Sequence, residues 1–345
     1  MLPNGRRLGA HLPLGDGMVK AADRAAAIGA SAAQIFSDNP AAWRRRPNLP
    51  RELPAFRERL AAHGVSPLVI HAPYLVNLAG PVGEFRRRSI DLLAHELRVA
   101  QAYGAAYLNV HAGSHRGEGG VDEGIRRLAA GTADGIALAG DAGRDVIVAI
   151  ENGSGMGFGL GTSAEQLAAI DVALADQGVD PARTAFCLDT AHLWGAGYSI
   201  DSTRGVDETL ATFDSVLGLD RVRLVHLNDS RSECGSRSDR HEHLGAGRIG
   251  PEGLRRILTH PGLAHVTYLV ETPGMDEGYD AVNLDRARDL VEGRPLASLP
   301  PQAFHTRSAK GRSAPAEDEL PPEDAAPPRD DEAAPGPNGR AAAGG

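Results

Sequence analysis

Eight short apolar runs separated by amphipathic stretches restrict the fold of this chain more than any other feature. The runs are Leu8–Leu14, Ala33–Phe36, Leu68–Ala72, Tyr107–Ala112, Val146–Glu151, Ala185–Asp189, Val222–Leu227 and Thr267–Glu271. Helical patterns lie between them, for example over Glu52–His63, Glu84–Tyr103, Val121–Gly140, Ser163–Asp176 and Gly253–His260. Thr162-Ser163-Ala164-Glu165 reads as a helix start, with an acid three residues after a hydroxyl. Gly250-Pro251-Glu252 puts proline where its missing N–H matters least. Strands alternating with helices predict a parallel sheet, and strands apolar almost throughout predict burial on both faces. An open doubly wound sheet and a closed barrel both satisfy that pattern.

The polar residues decide between them. From the third run onward, each run ends at or near a side chain able to bind metal. His71 closes the third, His111 the fourth and Glu151 the fifth; Asp189 and His192 follow the sixth. His226 closes the seventh, Asp239 and His241 lie just beyond it, and Glu271 closes the eighth. A closed barrel gathers its strand C-termini around one mouth, whereas an open sheet spreads them along a line. The expected fold is therefore an α/β (β/α)8 TIM barrel over residues 1–294, with a metal site at the C-terminal ends of its strands. Three or four protein ligands suffice for one zinc ion, so nine point to a cluster. Imidazole combined with carboxylate suits zinc, manganese or iron(II).

Each residue taken singly has a plainer explanation. A histidine ending a strand is usually a hydrogen-bonded core residue, Asp189 could cap the next helix, and Glu271 could be an ion-pair partner. Six successive strands ending this way outweigh those readings. Asp189/His192 and Asp239/His241 also stand within chelating distance of each other along the chain. His11 ends a run too, but Leu12 and Pro13 follow it, and it reads as a supporting or simply buried residue. The glycine run Gly153–Gly161 lacks a dinucleotide fingerprint and reads as a mobile or phosphate-approaching loop. Cys187 reads as a small core residue, Cys234 receives no role, and the pair forms no disulfide framework.

Taken together, these motifs resemble the endonuclease IV family of apurinic/apyrimidinic endonucleases. The resemblance runs from about Gly9 to about Leu290. It rests on GAH at 9–11, NPxxW at 39–43, HxxYLxNL at 71–78, NxHxGSH at 109–115 and IENxxGxG at 150–157. It continues through DTxH at 189–192, AGY at 196–198, HLNDS at 226–230, GSRxDRHxxLGxGxIG at 235–250 and ET at 271–272. The resemblance implies three zinc ions per chain, with Mn2+ or Fe2+ as partial substitutes. His71 and His111 would hold the first. Glu151 would bridge it to a second, held also by Asp189, His226 and Glu271. His192, Asp239 and His241 would hold the third. Glu151 and Glu271 would be the catalytic carboxylates. The implied reaction is hydrolysis of the phosphodiester 5′ to an abasic site in DNA, leaving a 3′-hydroxyl and a 5′-deoxyribose phosphate. Tyr74 and Leu75 match positions that enter the duplex beside the abasic gap. Trp43 and Arg44, with Arg45 and Arg46, lie where they could contact phosphates. The chain departs from the family at Ala41, where several members carry arginine, and at Asp38, where lysine is common. A monomer is the family expectation.

Charge does not oppose this reading. The net charge is −9, and residues 301–345 carry five basic and eight acidic side chains, which leaves −6 on the rest. Three divalent ions would neutralise that remainder. Residues 295–345 are rich in Pro, Ala and acid, and are expected to form a disordered tail. No apolar run approaches the ~18 residues of a membrane helix, and no secretory pattern opens the chain, so a cytoplasmic location is expected.

Two other functions fit part of the pattern. A sugar isomerase or epimerase on a related barrel would need one metal, which Glu151, Asp189, His226 and Glu271 could hold. It would not need His71, His111, His192, Asp239 and His241 as well. A non-catalytic metal-binding or lesion-binding protein would bind abasic DNA and leave it uncut.

Overall fold

The structure, a computed structural model, describes residues 1–306. In chain order it runs β1 (Arg7–His11), α1 (Met18–Ala27), β2 (Ala32–Phe36), α2 (Leu53–Ala62), β3 (Leu68–His71), α3 (Glu84–Tyr103), β4 (Tyr107–His111) and α4 (Gly120–Ala139). It continues with β5 (Ile147–Glu151), α5 (Ala164–Asp176), β6 (Thr184–Asp189), α6 (Thr190–Ala196), α7 (Thr203–Val216) and β7 (Val222–His226). A two-residue ribbon, β8 (Asp229–Ser230) with β9 (His241–Glu242), precedes α8 (Gly250–Thr259), β10 (Thr267–Val270) and α9 (Tyr279–Glu292). Eight parallel strands close into a barrel in the order β1-β10-β7-β6-β5-β4-β3-β2. The expected (β/α)8 barrel is the observed one.

Closure depends on close approach at β1. A Cβ added at Gly9 would stand 2.0 Å from the Ala32 carbonyl oxygen, so glycine is what lets β1 lie against β2. Inside the barrel, Ala32, Val69, Ala149, Cys187, Leu224 and Leu269 form a dry plug, with Tyr107 packed against it. Strand residues two apart share a face. Val69 therefore stands below His71, Ala149 below Glu151, Leu224 below His226, and Leu269 below Glu271. The period-2 rule places an apolar floor directly beneath the polar strand ends.

Several boundaries differ from the sequence reading. β1 stops at His11 instead of Leu14; Leu12 N–H still donates to the Gln34 carbonyl (2.7 Å), but Pro13 has no N–H to continue the ladder. Glu271 lies just past β10, its N–H donating to Asn228 Oδ1 at 2.9 Å. α8 starts at Gly250, not Gly253. The capping of α5 falls one residue later than expected: Ser163 Oγ accepts from Gln166 N–H, while Gln166 Oε1 accepts from Thr162 N–H.

The expected tail boundary at 294/295 also moves. Ala303 and Thr306 are fully buried, Arg286 donates to the Ala297 carbonyl (2.5 Å), and His243 Nε2 lies 3.0 Å from the Ala303 carbonyl. Residues 296–306 therefore pack onto the barrel surface around α9. The rest of the expected tail, 307–345, lies outside the described residues. Among the described residues, no helix is long and apolar enough to cross a membrane.

Candidate metal centre

The nine strand-end residues converge at the barrel mouth. Their placement follows from the sheet register: His111 stands beside Glu151 across β4 and β5, and Asp189 beside His226 across β6 and β7. His192 arrives one helical turn after Asp189, because Asp189 Oδ1 caps α6 by accepting the His192 N–H (2.9 Å). The plain capping role foreseen for Asp189 is real, yet it uses one oxygen only. The other faces Asn228 Nδ2 at 2.6 Å and His241 Nε2 at 3.5 Å. Asp239 and His241 are brought in by the loop closed by the β8–β9 ribbon.

The ligand atoms fall into overlapping groups. His71, His111 and Glu151 form one; Asp189, His226 and Glu271 a second; Asp189, His192 and His241 a third. Within each group all the donor atoms lie within 4.8 Å of one another. Asp239 joins the third group at 3.3 Å from His192 Nε2 and 3.0 Å from His241 Nε2. Glu151 stands between the groups: its carboxylate is 3.6 Å from His71 Nε2, 3.5 Å from His111 Nε2 and 3.3 Å from His226 Nδ1, and it also lies 3.3 Å from His192 Nδ1, the nitrogen turned to the Asn152 carbonyl.

These distances carry chemical information. Charge-assisted hydrogen bonds run at about 2.7–2.9 Å. Donor atoms on a tetrahedral zinc with bonds of about 2.0–2.2 Å stand about 3.3–3.6 Å apart. Most of the observed contacts have the second spacing.

The histidines are also held for coordination. His71 Nδ1 lies 2.7 Å from the Ala72 carbonyl, His192 Nδ1 2.9 Å from the Asn152 carbonyl, and His241 Nδ1 2.9 Å from the Glu271 carbonyl. His226 Nε2 lies 3.0 Å from Gln34 Oε1. An N–H donated outward fixes the tautomer and leaves the other nitrogen's lone pair facing inward. Two of those inward nitrogens, His226 Nδ1 and His241 Nε2, are buried without a hydrogen bond among the described residues. The donor set, the spacing and the orphaned nitrogens all fit divalent metal.

Without a cation, protons must balance the four carboxylates, of which Glu151 and Asp189 are buried and Asp239 and Glu271 partly exposed. Burial pulls His192 down, but Asp189, Asp239 and Glu151 outweigh it and hold the imidazole well above its ordinary value. Burial is likewise overcome at His226, raised well above its usual range by Cys187, Glu271 and Glu151, and at His241, pushed up to about 10 by Asp239 and Asp189. Reciprocally, burial favours a protonated Glu151, yet His226 and His111 keep it well below the ordinary carboxylate range. Asp239 is depressed in the same way by His241 and His192. His111 goes the other way, lowered mainly by burial.

Several supporting residues were not foreseen. Asn109 Nδ2 donates to Glu151 Oε2 and Gln34 Nε2 to Glu271 Oε1, both at 2.5 Å. Asn152 Oδ1 accepts the Asp189 N–H at 2.6 Å. Asn109 lies two residues before His111, so the period-2 rule could have found it. His11 is a supporting residue as expected, 3.3 Å from Glu271 Oε1. Cys187 lies in the plug beneath the centre, and burial pushes its thiol up to about 11. The glycine run is tied down: Ser114 pairs with Gly159, and Leu160 N–H donates to the Gly113 carbonyl at 2.8 Å.

The rim differs from expectation. Tyr74 is half-buried beside His71 and His111, with ring centroids 5.9 and 6.3 Å away. Leu75, expected to enter the duplex, is buried at 5% exposure, because Ala72–Gly80 folds inward against the barrel. Trp43 packs edge-on against Phe85 at 5.1 Å. Arg44 is exposed, but Arg45 and Arg46 do not supplement it as expected. Arg45 turns inward to the carbonyls of Asn39 and Ala42 and lies 3.7 Å from the buried Glu96, and Arg46 pairs with Asp38 at 3.3 Å.

Fold and site thus define a TIM barrel whose mouth gathers several groups of side chains able to hold metal. Residues 22–294 match the family profile described as xylose isomerase-like TIM barrel. A protein named probable endonuclease 4 from Halobacterium salinarum is 41% identical over 285 residues, covering 82% of this chain and 99% of that one. One of the same name from Solibacter usitatus is 43% identical, covering 83% of this chain and 97% of that one. The crystal structure of endonuclease IV from Thermus thermophilus aligns with a TM-score of 0.72 at 38% identity, covering 83% of this chain and 99% of that one. A D-tagatose 3-epimerase-like protein shares the fold at 16% identity and a TM-score of 0.60. The chain belongs to the endonuclease IV family of the xylose isomerase-like TIM barrels.

Proposed function

We propose that this chain is a zinc-dependent endonuclease of base excision repair. It hydrolyses the phosphodiester 5′ to an abasic site, leaves a 3′-hydroxyl and a 5′-deoxyribose phosphate, and works as a monomer. The observation that carries this reading is the set of outward-clamped histidines whose inward nitrogens face carboxylates at tetrahedral-edge spacing. A one-metal isomerase has no use for His71, His111, His192, Asp239 and His241 in the same mouth.

His71 and His111 would hold one zinc, with Glu151 shared to a second held by Asp189, His226 and Glu271; His192, Asp239 and His241 would hold the third. Bound zinc supplies Lewis acidity toward phosphoryl oxygens and brings the pKa of water toward ~7. The chain's own residues do the rest. Asn109 and Gln34 fix the rotamers of Glu151 and Glu271, so the two carboxylates need no reorganisation during reaction. His71, Asp189 and His226 are sealed from solvent, whereas the His111 and Asp239 side chains are 36% and 28% exposed. The substrate phosphate therefore approaches over His111 and Asp239. Tyr74, beside His71 and His111, borders that approach and would meet the sugar at the abasic gap.

The test is incision of a duplex carrying one synthetic abasic site by metal-loaded protein, compared with Glu151→Ala. The wild type is expected to cut and to leave a 3′ end that a polymerase extends. No incision, or equal incision by both proteins, would overturn the proposal.

A further inference from the structure

Four side chains outside the metal centre form a stack at the mouth, two rings between two guanidinium groups. The Arg88 guanidinium lies over the Trp43 ring, 4.3 Å from its centroid. Trp43 meets Phe85 edge-on at 5.1 Å. The Arg116 guanidinium lies over Phe85, 5.1 Å from its centroid. Trp43 follows β2, Phe85 and Arg88 sit in the opening turns of α3 after β3, and Arg116 follows β4. All three segments leave C-terminal strand ends, so the stack lies on the face that carries the metal centre.

Stacking alone does not account for the two arginines. Neither side chain makes an ion pair or a side-chain hydrogen bond among the described residues. A guanidinium stacked on a ring keeps its N–H edge free for a bidentate acceptor. Arg116 also holds φ of 52°, the left-handed region that a non-glycine residue rarely adopts. In the loop that carries Trp43, Arg45 turns toward Glu96 and Arg46 pairs with Asp38, so of its three consecutive arginines Arg44 is the one outside an ion pair among the described residues.

We propose that Arg88 and Arg116, stiffened by Trp43 and Phe85, form a grip for the DNA backbone beside the lesion, each contacting one phosphate. This inference rests on DNA being the substrate. Stacking lowers the side-chain freedom lost on binding, and the rings hold the two charges at a fixed separation. Such contacts position a duplex without reading its sequence.

Salt dependence tests the grip. Each phosphate contact contributes about 0.9 to the slope of log affinity against log salt concentration. R88S/R116S in the full, metal-loaded chain should flatten that slope by about 1.8 on abasic and intact duplexes alike. R88K/R116K keeps the charge and should restore the slope, which separates lost phosphate contacts from lost packing. Arg144→Ser, at the opposite end of the barrel, should leave the slope as it is. An unchanged slope in R88S/R116S, or one that the lysine pair fails to restore, would overturn the grip. If the wild type binds duplex with the expected slope but never incises the abasic site, the grip stands and the endonuclease reading falls.

Discussion

The floor of the mouth and its rim use charged residues in opposite ways. On the floor, five histidines and four carboxylates point at one another from strand ends, and carbonyls and amides behind them fix their orientation. Two inward nitrogens, His226 Nδ1 and His241 Nε2, make no hydrogen bond among the described residues. On the rim, the arginines of the loop after β2 turn to their own loop carbonyls and to Asp38, while Arg45 Nε stands 3.7 Å from Glu96, too far for a hydrogen bond. If the mouth works as proposed, its chemistry is pre-built and substrate grip falls to a few stacked or exposed cations. Strand ends can be pre-built because both neighbouring strands fix their register; loops need a device such as a buried ion pair.

The largest effect should come from breaking the floor. Glu151→Gln keeps the volume but removes the charge shared between groups, and incision should fall by on the order of 10³-fold in a single-turnover assay. Breaking the rim's foundation should act on folding instead. Glu96→Ala removes the nearest counter-charge of the inward-facing Arg45, leaving Asp38 alone, and should lower stability by about 3 kcal/mol in chemical denaturation. Metal content in that variant should be unchanged. Asn109→Ala frees the Glu151 rotamer and should weaken metal affinity by about 10–100-fold, read by chelator competition.

Proton coupling sharpens the comparison, because the floor alone should show it. In the metal-free protein His192, His226 and His241 hold protons above their ordinary range, so zinc must expel them. Below their raised pKa these imidazoles are charged, so each fall in pH strengthens the competing proton and weakens zinc. Calorimetry at neutral pH in buffers of different ionisation enthalpy should show proton release on loading, and none in a variant lacking the three imidazoles. The same shifts set metal-free stability. The imidazole contribution is complete below about 6.5 and is lost as pH rises through the raised values, about 10 for His241. The Glu151 and Asp239 contribution is lost on the acid side, as pH falls through their depressed values. The smallest effect should be Arg44→Ser, which removes one exposed charge and should flatten the salt slope of DNA binding by about 0.9.

The sequence showed the barrel and its floor clearly, and the reason is geometric. Strand residues alternate faces, so a polar residue ending an apolar run has a predictable direction, and closure brings those ends together. The motif spacing also brought Asp239 and His241 in, although they sit on a loop. Gln34 and Asn109 obeyed the same alternation but resembled ordinary strand residues. The rim was less legible because loop side chains have no period. Nothing in WRRR indicates that Arg45 turns inward to Glu96, which is far along the chain and itself on an apolar helix face. Leu75 likewise reads as an exposed wedge until the inward fold of residues 72–80 is seen. The tail boundary was misplaced for a related reason: Ala303 and Thr306 are small, and composition cannot show that they fill a gap beside α9.

The central claim is that the mouth holds a cluster and not a single ion, and metal stoichiometry tests it most directly. Protein stripped with chelator, reloaded with zinc and freed of excess should contain three ions per chain by elemental analysis. Loss of His192, Asp239 and His241 should reduce that to two. One ion per chain in protein that still incises abasic DNA would contradict the account.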